Sequence, residues 1–163
     1  MSRDSFSIKS ATEHDIPLIF AFIKELADYE RLSHEVTATE ADLRSALCGP
    51  RPSAEVVIGY AGEDPAGFAL FFQSFSTFVG RPGLYLEDLF VRPQWRGRGF
   101  GSRLLAHLAR VAVERGYGRM EWSVLDWNEM ALRVYRKVGA RPMDEWTVHR
   151  LTGDALRRLA SEA

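Results

Sequence analysis

Glu87 and Asp88 are two carboxylates set side by side in an apolar stretch, Leu84-Tyr-Leu-Glu-Asp-Leu-Phe-Val91. Acids are out of place in such a stretch unless they move protons or meet a charge. A few residues on comes Arg96-Gly-Arg-Gly-Phe-Gly-Ser102, with glycines at alternate positions and Arg96, Arg98 and Arg103 around them. Leu104, Leu105, Leu108, Val111 and Ala112 then recur at helical spacing. The first amides of a helix have no intrahelical partner and lie at the positive end of its dipole, so an anion is at home there. The combination is a main-chain cradle for a phosphate or pyrophosphate, close in sequence to a pair of acids. Further on, Tyr135 stands seven residues after Asn128 and four before Gly139. Its helix face also carries Met130, Ala131, Val134 and Val138, so by pattern alone the tyrosine belongs to a core.

Two familiar phosphate loops do not fit. A Walker loop carries Lys and then Ser or Thr after its last glycine, whereas Ser102 and Arg103 follow here. A dinucleotide fingerprint reads Gly-x-Gly-x-x-Gly, and the spacing here is Gly97-x-Gly99-x-Gly101. What remains, Arg96-x-x-Gly99-x-Gly101 behind a strand, resembles the Gln/Arg-x-x-Gly-x-Gly/Ala signature of the GNAT superfamily of N-acetyltransferases. Asn128-x6-Tyr135-x3-Gly139 resembles a second segment of that family. Lys24-Glu-Leu-Ala-Asp-Tyr-Glu30, Tyr85-Leu-Glu-Asp-Leu-Phe-Val91 and Trp127-Asn-Glu129 are similar to its diamine acetyltransferase branch, which includes spermidine/spermine and thialysine acetyltransferases.

The resemblance implies that the loop holds the pyrophosphate of acetyl-CoA. Leu89, Phe90 and Val91 would line the cofactor, followed by Arg96, Gly97, Arg98, Gly99, Phe100, Gly101 and Ser102, and then Asn128. It implies Tyr135 as the acid beside the CoA sulfur. Tyr29, Glu30, Glu87, Glu121, Trp122 and Ser123 would face the amine, where carboxylates and an aromatic ring suit a cation. A lysine-like amine is neutral in only about one molecule in 2,500 at pH 7, a handicap of about 4.6 kcal/mol, so a base raises the rate. Glu87 is read as that base, acting through water. Adjacent strand positions point to opposite faces, so Glu87 and Asp88 look toward opposite sides of the sheet, and Asp88 is read as bracing a loop or an arginine. Polyamine-acetylating members tend to carry further acids after the Tyr-Glu pair, but Arg31, Leu32 and Ser33 follow here, and Ser76, Thr77 and Phe78 occupy a second such segment. A short diamine or an amino-acid side-chain amine therefore fits as well as a long polyamine. Acetylation of a protein lysine or N-terminus, and a non-catalytic acetyl-CoA-binding module, are the alternatives.

Positioning these groups falls to elements legible as pattern. Strands are expected at residues 6–10, 55–61, 66–75, 84–91, 119–124 and 146–151. Helices are expected up to about residue 30, at 39–47 behind a Thr39 cap, after the glycine loop, at 128–138 and at 152–160. Ile16, Ile19, Ile23 and Leu26 mark the core face of the first. Consecutive antiparallel strands followed by β-α-β crossovers point to an α/β (α+β) fold, a mixed and mostly antiparallel twisted sheet with helices on both faces, which is also the fold the resemblance implies.

At 163 residues with 46% apolar and 26% charged residues, the chain reads as one N-acetyltransferase domain spanning 1–163. Its net charge of −1 gives no global field toward nucleic acid or anionic membrane. Cys48 is the one cysteine and His14, His34, His107 and His149 lack ligand spacing, so neither a disulfide framework nor a metal is expected. Cys48 has no histidine near it in sequence, which argues for direct transfer and not an acetyl-cysteine. The Met-Ser-Arg-Asp start has no apolar signal core, and the cytoplasm is the expected location. The resemblance also implies a homodimer, with the last strand and helix near the partner.

Overall fold

The computed structural model describes residues 5–163, so the opening Met-Ser-Arg-Asp lies outside the described residues. Two compact units make up the chain, Met1–Trp127 and Asn128–Ala163.

The first unit contains β1 (Phe6–Ser10), α1 (Ile16–Tyr29), α2 (Glu40–Cys48), β2 (Glu55–Ala61), β3 (Asp64–Ser76), β4 (Arg81–Val91), α3 (Phe100–Glu114) and β5 (Met120–Trp122). The strands form one sheet in the order β1-β2-β3-β4-β5. The first three pairings are antiparallel and β4–β5 is parallel. Gly62 at φ 64° and Gly80 at φ 69° turn the β2–β3 and β3–β4 hairpins, in a left-handed conformation that favours glycine. A parallel neighbour needs a crossover, and α3 supplies it. The mixed, mostly antiparallel sheet expected from the sequence is the one found.

Helices cover both faces. Ile16, Ile19, Phe22 and Leu26 of α1 pack on Val56, Ile58, Phe68, Leu70 and Phe90. The Phe22 and Phe68 rings stack 5.2 Å apart, and each buried ring of this kind contributes about 1.5–3 kcal/mol. On the other face α3 lies close over the sheet, with Leu89 and Val91 each 3.8 Å from where a Cβ on Gly101 would stand. The α1 stripe starts as its spacing predicts, but Phe22 is buried as completely as Ile16 while Ile23 is only half-buried. Thr39 caps α2, its hydroxyl accepting from the Asp42 N–H at 3.2 Å while Asp42 Oδ2 accepts from the Thr39 N–H at 2.8 Å.

In the second unit, α4 (Glu129–Lys137) begins at Asn128, whose Oδ1 accepts from the Ala131 N–H at 3.2 Å. It ends at Gly139, φ 84°. α5 (Gly153–Ala160) closes the chain. The strand expected at 146–151 is not formed, and β5 is shorter than the expected 119–124. Alternation supplies a strand only with a face; the strand itself exists through ladder bonds to a neighbour. The Trp146 N–H instead donates to Met143 O at 3.1 Å, closing a local turn.

Candidate active site

The register of β3 against β4 places the two acids. Leu70 pairs with Asp88 but Phe71 pairs with Leu86, so Glu87 is an extra residue at a β-bulge. Leu86 is paired with Phe71, which shares the α3 side with Leu89 and Val91. Asp88 and Phe90 are paired with Leu70 and Phe68, which lie on the α1 side. With Leu86 and Leu89 both on the α3 side, Glu87 and Asp88 both leave the strand toward α1. The expectation that they part to opposite faces is corrected by the bulge, which skips one step of the alternation. Glu87 is exposed and Asp88 is not. Burial pushes the Asp88 carboxyl up to about 6, and the negative charges of Glu87 and Glu30 push the same way. Glu30, at the C-terminal end of α1, is itself raised by burial. Three carboxylates thus share one field on the α1 side of the sheet.

β4 runs on past its last partner on β5, since pairing ends at Leu86 with Trp122. Residues 87–91 therefore continue toward the loop as an edge with no β5 partner opposite them. Beyond a short 3-10 turn (Pro93–Trp95), Gly97 and Gly99 adopt φ 74° and 77°, and a Cβ on either would meet open space. They are needed for backbone conformation, and the space in front of them is open to a ligand. Gly99 is the N-cap of α3, and the first helical bond is the Arg103 N–H to Gly99 O at 3.0 Å. The amides of Phe100, Gly101 and Ser102 precede it as first-turn donors. This fits the cradle read from the sequence.

The arginines are arranged differently from a ring around an anion. Arg96 donates from Nε to Val91 O at 2.8 Å, and its guanidinium lies 4.5 Å over the Tyr29 ring and 5.4 Å from that of Phe90. Arg103 donates to Phe6 O at 2.9 Å and stacks on the Phe6 ring, while Arg98 stacks on Trp95 at 4.9 Å. Each guanidinium braces the loop through an aromatic face.

Of the other residues read as facing the amine, Tyr29 and Glu30 end α1. The Tyr29 ring is 6.0 Å from that of Trp127. Ser123 hydrogen-bonds the Tyr85 hydroxyl at 3.0 Å. Glu121 pairs with Arg119 at 2.8 Å. Trp122 is in register with Leu86 and so belongs to the α3 side, opposite to the acids. Tyr135 and Asn128 belong to the second unit, Tyr135 in α4 and Asn128 as its cap.

Three features escaped the sequence reading. Asp88 passed for a brace because the bulge has no sequence mark. Arg92 holds the end of β4 to α1 by a two-pronged bond to Glu25 (3.0 and 2.8 Å) and donates to Pro65 O at 3.1 Å. Arg31 is the one non-glycine residue at positive φ, 60°, among the described residues. There it closes α1, with the Leu32 N–H donating to Ala27 O at 2.7 Å. A side chain in this conformation costs about 1 kcal/mol relative to glycine. Among the described residues no cluster of His, Cys, Asp and Glu fit for a metal ion occurs, and no helix is long and apolar enough to cross a membrane.

Residues 20–140 match the model of the Acetyltransferase (GNAT) family. The chain is 36% identical to the thialysine N-epsilon-acetyltransferase of Bos taurus, over 95% of this chain and 97% of that protein. It is 34% identical to the L-ornithine N5-acetyltransferase of Arabidopsis thaliana, over 93% of this chain and 86% of that one. Among solved structures, an integron cassette protein from the mobile metagenome of V. cholerae superposes with a TM-score of 0.78 at 29% identity, covering 96% of this chain and 98% of that one. An aminoglycoside acetyltransferase from a soil metagenome shares the fold, with a TM-score of 0.72 at 18% identity over 91% of this chain and 95% of that one. Bulge, glycine loop and mixed sheet thus come with a family match across both units, and the chain belongs to the GNAT acetyltransferase family and is an N-acetyltransferase.

Proposed function

We propose that the chain transfers the acetyl group of acetyl-CoA to the primary amine of a small cationic substrate, a diamine or polyamine or a thialysine-like amino acid, by direct attack in a ternary complex. The observation that carries this reading is the set of three carboxylates, Glu30, Glu87 and Asp88, sharing one field on the side of the sheet where α1 ends. Such a set draws in an ammonium and takes its proton. The relatives named for acetylating thialysine and ornithine support an amine carried by a small molecule.

Acetyl-CoA supplies the activated acyl group. Leu89, Phe90 and Val91, with the loop from Arg96 to Ser102, are the residues to hold it, the pyrophosphate lying on the first amides of α3. The open space before Gly97 and Gly99 supports that assignment. Asn128 joins them. Glu87 acts as base through water, and Tyr135 returns a proton to the departing thiolate. Asp88 is a second candidate base, favoured by its raised pKa, because a carboxyl near 6 drives proton abstraction better than one in the ordinary range. Both units act together as one domain over 1–163, a reading supported by a family match that crosses their boundary. The active form is a homodimer in the cytoplasm, and neither metal, membrane nor nucleic acid takes part.

Incubation with acetyl-CoA and a panel of small amines should release free CoA and give a mass gain of one acetyl group on an amine. Release with a peptide alone would move the function to protein acetylation, and no release with any amine would leave a binding module. Glu87→Gln should abolish the acidic limb of the pH profile of kcat/KM if Glu87 is the base. An unchanged limb that Asp88→Asn removes would transfer the role to Asp88.

A further inference from the structure

The Arg31 guanidinium lies 5.4 Å from the centre of the Trp127 ring, and through Trp127 and Tyr29 it ends a ladder of rings that starts at Arg96 and Phe90. It directly follows Glu30, whose charge reaches Asp88. Like Arg96, Arg98 and Arg103, Arg31 is stacked on an aromatic ring and forms no ion pair among the described residues. Stacking uses only the flat face of a guanidinium and leaves its N–H edge for a two-pronged bond. Glycine fits the left-handed end of a helix without strain, so an arginine there points to a use for its side chain. The neighbourhood thus offers negative charge at Glu30, Glu87 and Asp88 and a held positive charge one residue from Glu30.

We propose that Arg31 receives a carboxylate of the acceptor, so that the substrate is an amino acid bearing a side-chain primary amine, not a diamine or polyamine. This rests on the amine-acetylating reading above and narrows it. The ammonium goes to the carboxylates, and the carboxylate goes to Arg31. A polyamine carries a second cation to the place where Arg31 stands, and like charges there exclude it.

The test compares substrates that differ only in the carboxylate, ornithine against 1,4-diaminobutane and lysine against 1,5-diaminopentane, each with acetyl-CoA. The parent enzyme should favour the amino acid by at least tenfold in kcat/KM. The methyl ester of the amino acid should behave like the diamine. Arg31→Gly removes the guanidinium at a position where glycine is at ease, so folding is not at risk. It should shrink the preference at least tenfold, through the KM of the amino acid, and Arg31→Lys should restore part of it. A parent enzyme indifferent to the carboxylate, or an Arg31→Gly enzyme that slows both substrates equally, overturns the proposal while acetyl transfer stands. Failure to acetylate any amine would sink the broader reading first.

Discussion

Phe22, Phe68, Leu84 and Leu104 of the first unit are buried almost completely, whereas no residue of α4 or α5 is buried. The first unit is held by long-range register and a shared core. The second carries local devices, among them the Asn128 cap, the Gly139 stop and an ion pair between Arg136 and Glu129 at 3.1 Å. Sequence patterns of similar strength had different outcomes in the two. The apolar stretch ending at Val91 is a strand because β3 lies beside it along its length, while the alternation at 146–151 has no ladder and stays irregular. Periodicity states what a segment is able to do, and a neighbour decides whether it does it.

The sharpest way to break this contrast is to remove core from the first unit. Phe68→Ala should cost about 3–5 kcal/mol, read from denaturant unfolding, because a stacked ring leaves a cavity. A loss as small as that of a surface change would refute the description of this core. Asp88→Asn is next, and its sign depends on pH. A carboxyl raised to about 6 in the folded state favours the fold below its unfolded value near 4, and that contribution is lost as pH rises through about 6. At pH 8 the asparagine variant should therefore be more stable than the parent by up to about 3 kcal/mol, with the gap closing below about pH 4. An advantage that does not change with pH would place the carboxyl in solvent.

Tyr135→Phe carries the contrast into chemistry. It should lower kcat about 100-fold, or about 2.7 kcal/mol, with little change in acetyl-CoA affinity or in melting temperature. Equal loss of stability and rate would make the tyrosine a packing residue. The smallest effect is expected at Trp146, which is 74% exposed. Trp146→Ala should alter folding of the chain by no more than about 0.5 kcal/mol. If the homodimer uses this region, the same change should shift sedimentation at micromolar concentration from dimer toward monomer. A parent that sediments as a monomer would remove the dimer from the picture.

Much of the molecule was set by local chemistry written in the residues themselves. The Thr39 cap, the turns at Gly62 and Gly80, the helix face of α3 and the glycine loop all depend on neighbours within a few positions, so spacing and residue type were enough to find them. Tertiary structure alone decided three things. A bulge, which arises from register between two strands, brought Glu87 and Asp88 to one side, where the charge of Glu87 adds to the rise of the half-buried Asp88 carboxyl. Tyr29 and Phe6, from distant parts of the chain, turned Arg96 and Arg103 into braces. Residues 146–151, with the right pattern, did not become a strand. In the first two cases the deciding interaction joins residues far apart in sequence, and in the third no such ladder forms; an order of letters carries no record of which distant groups meet.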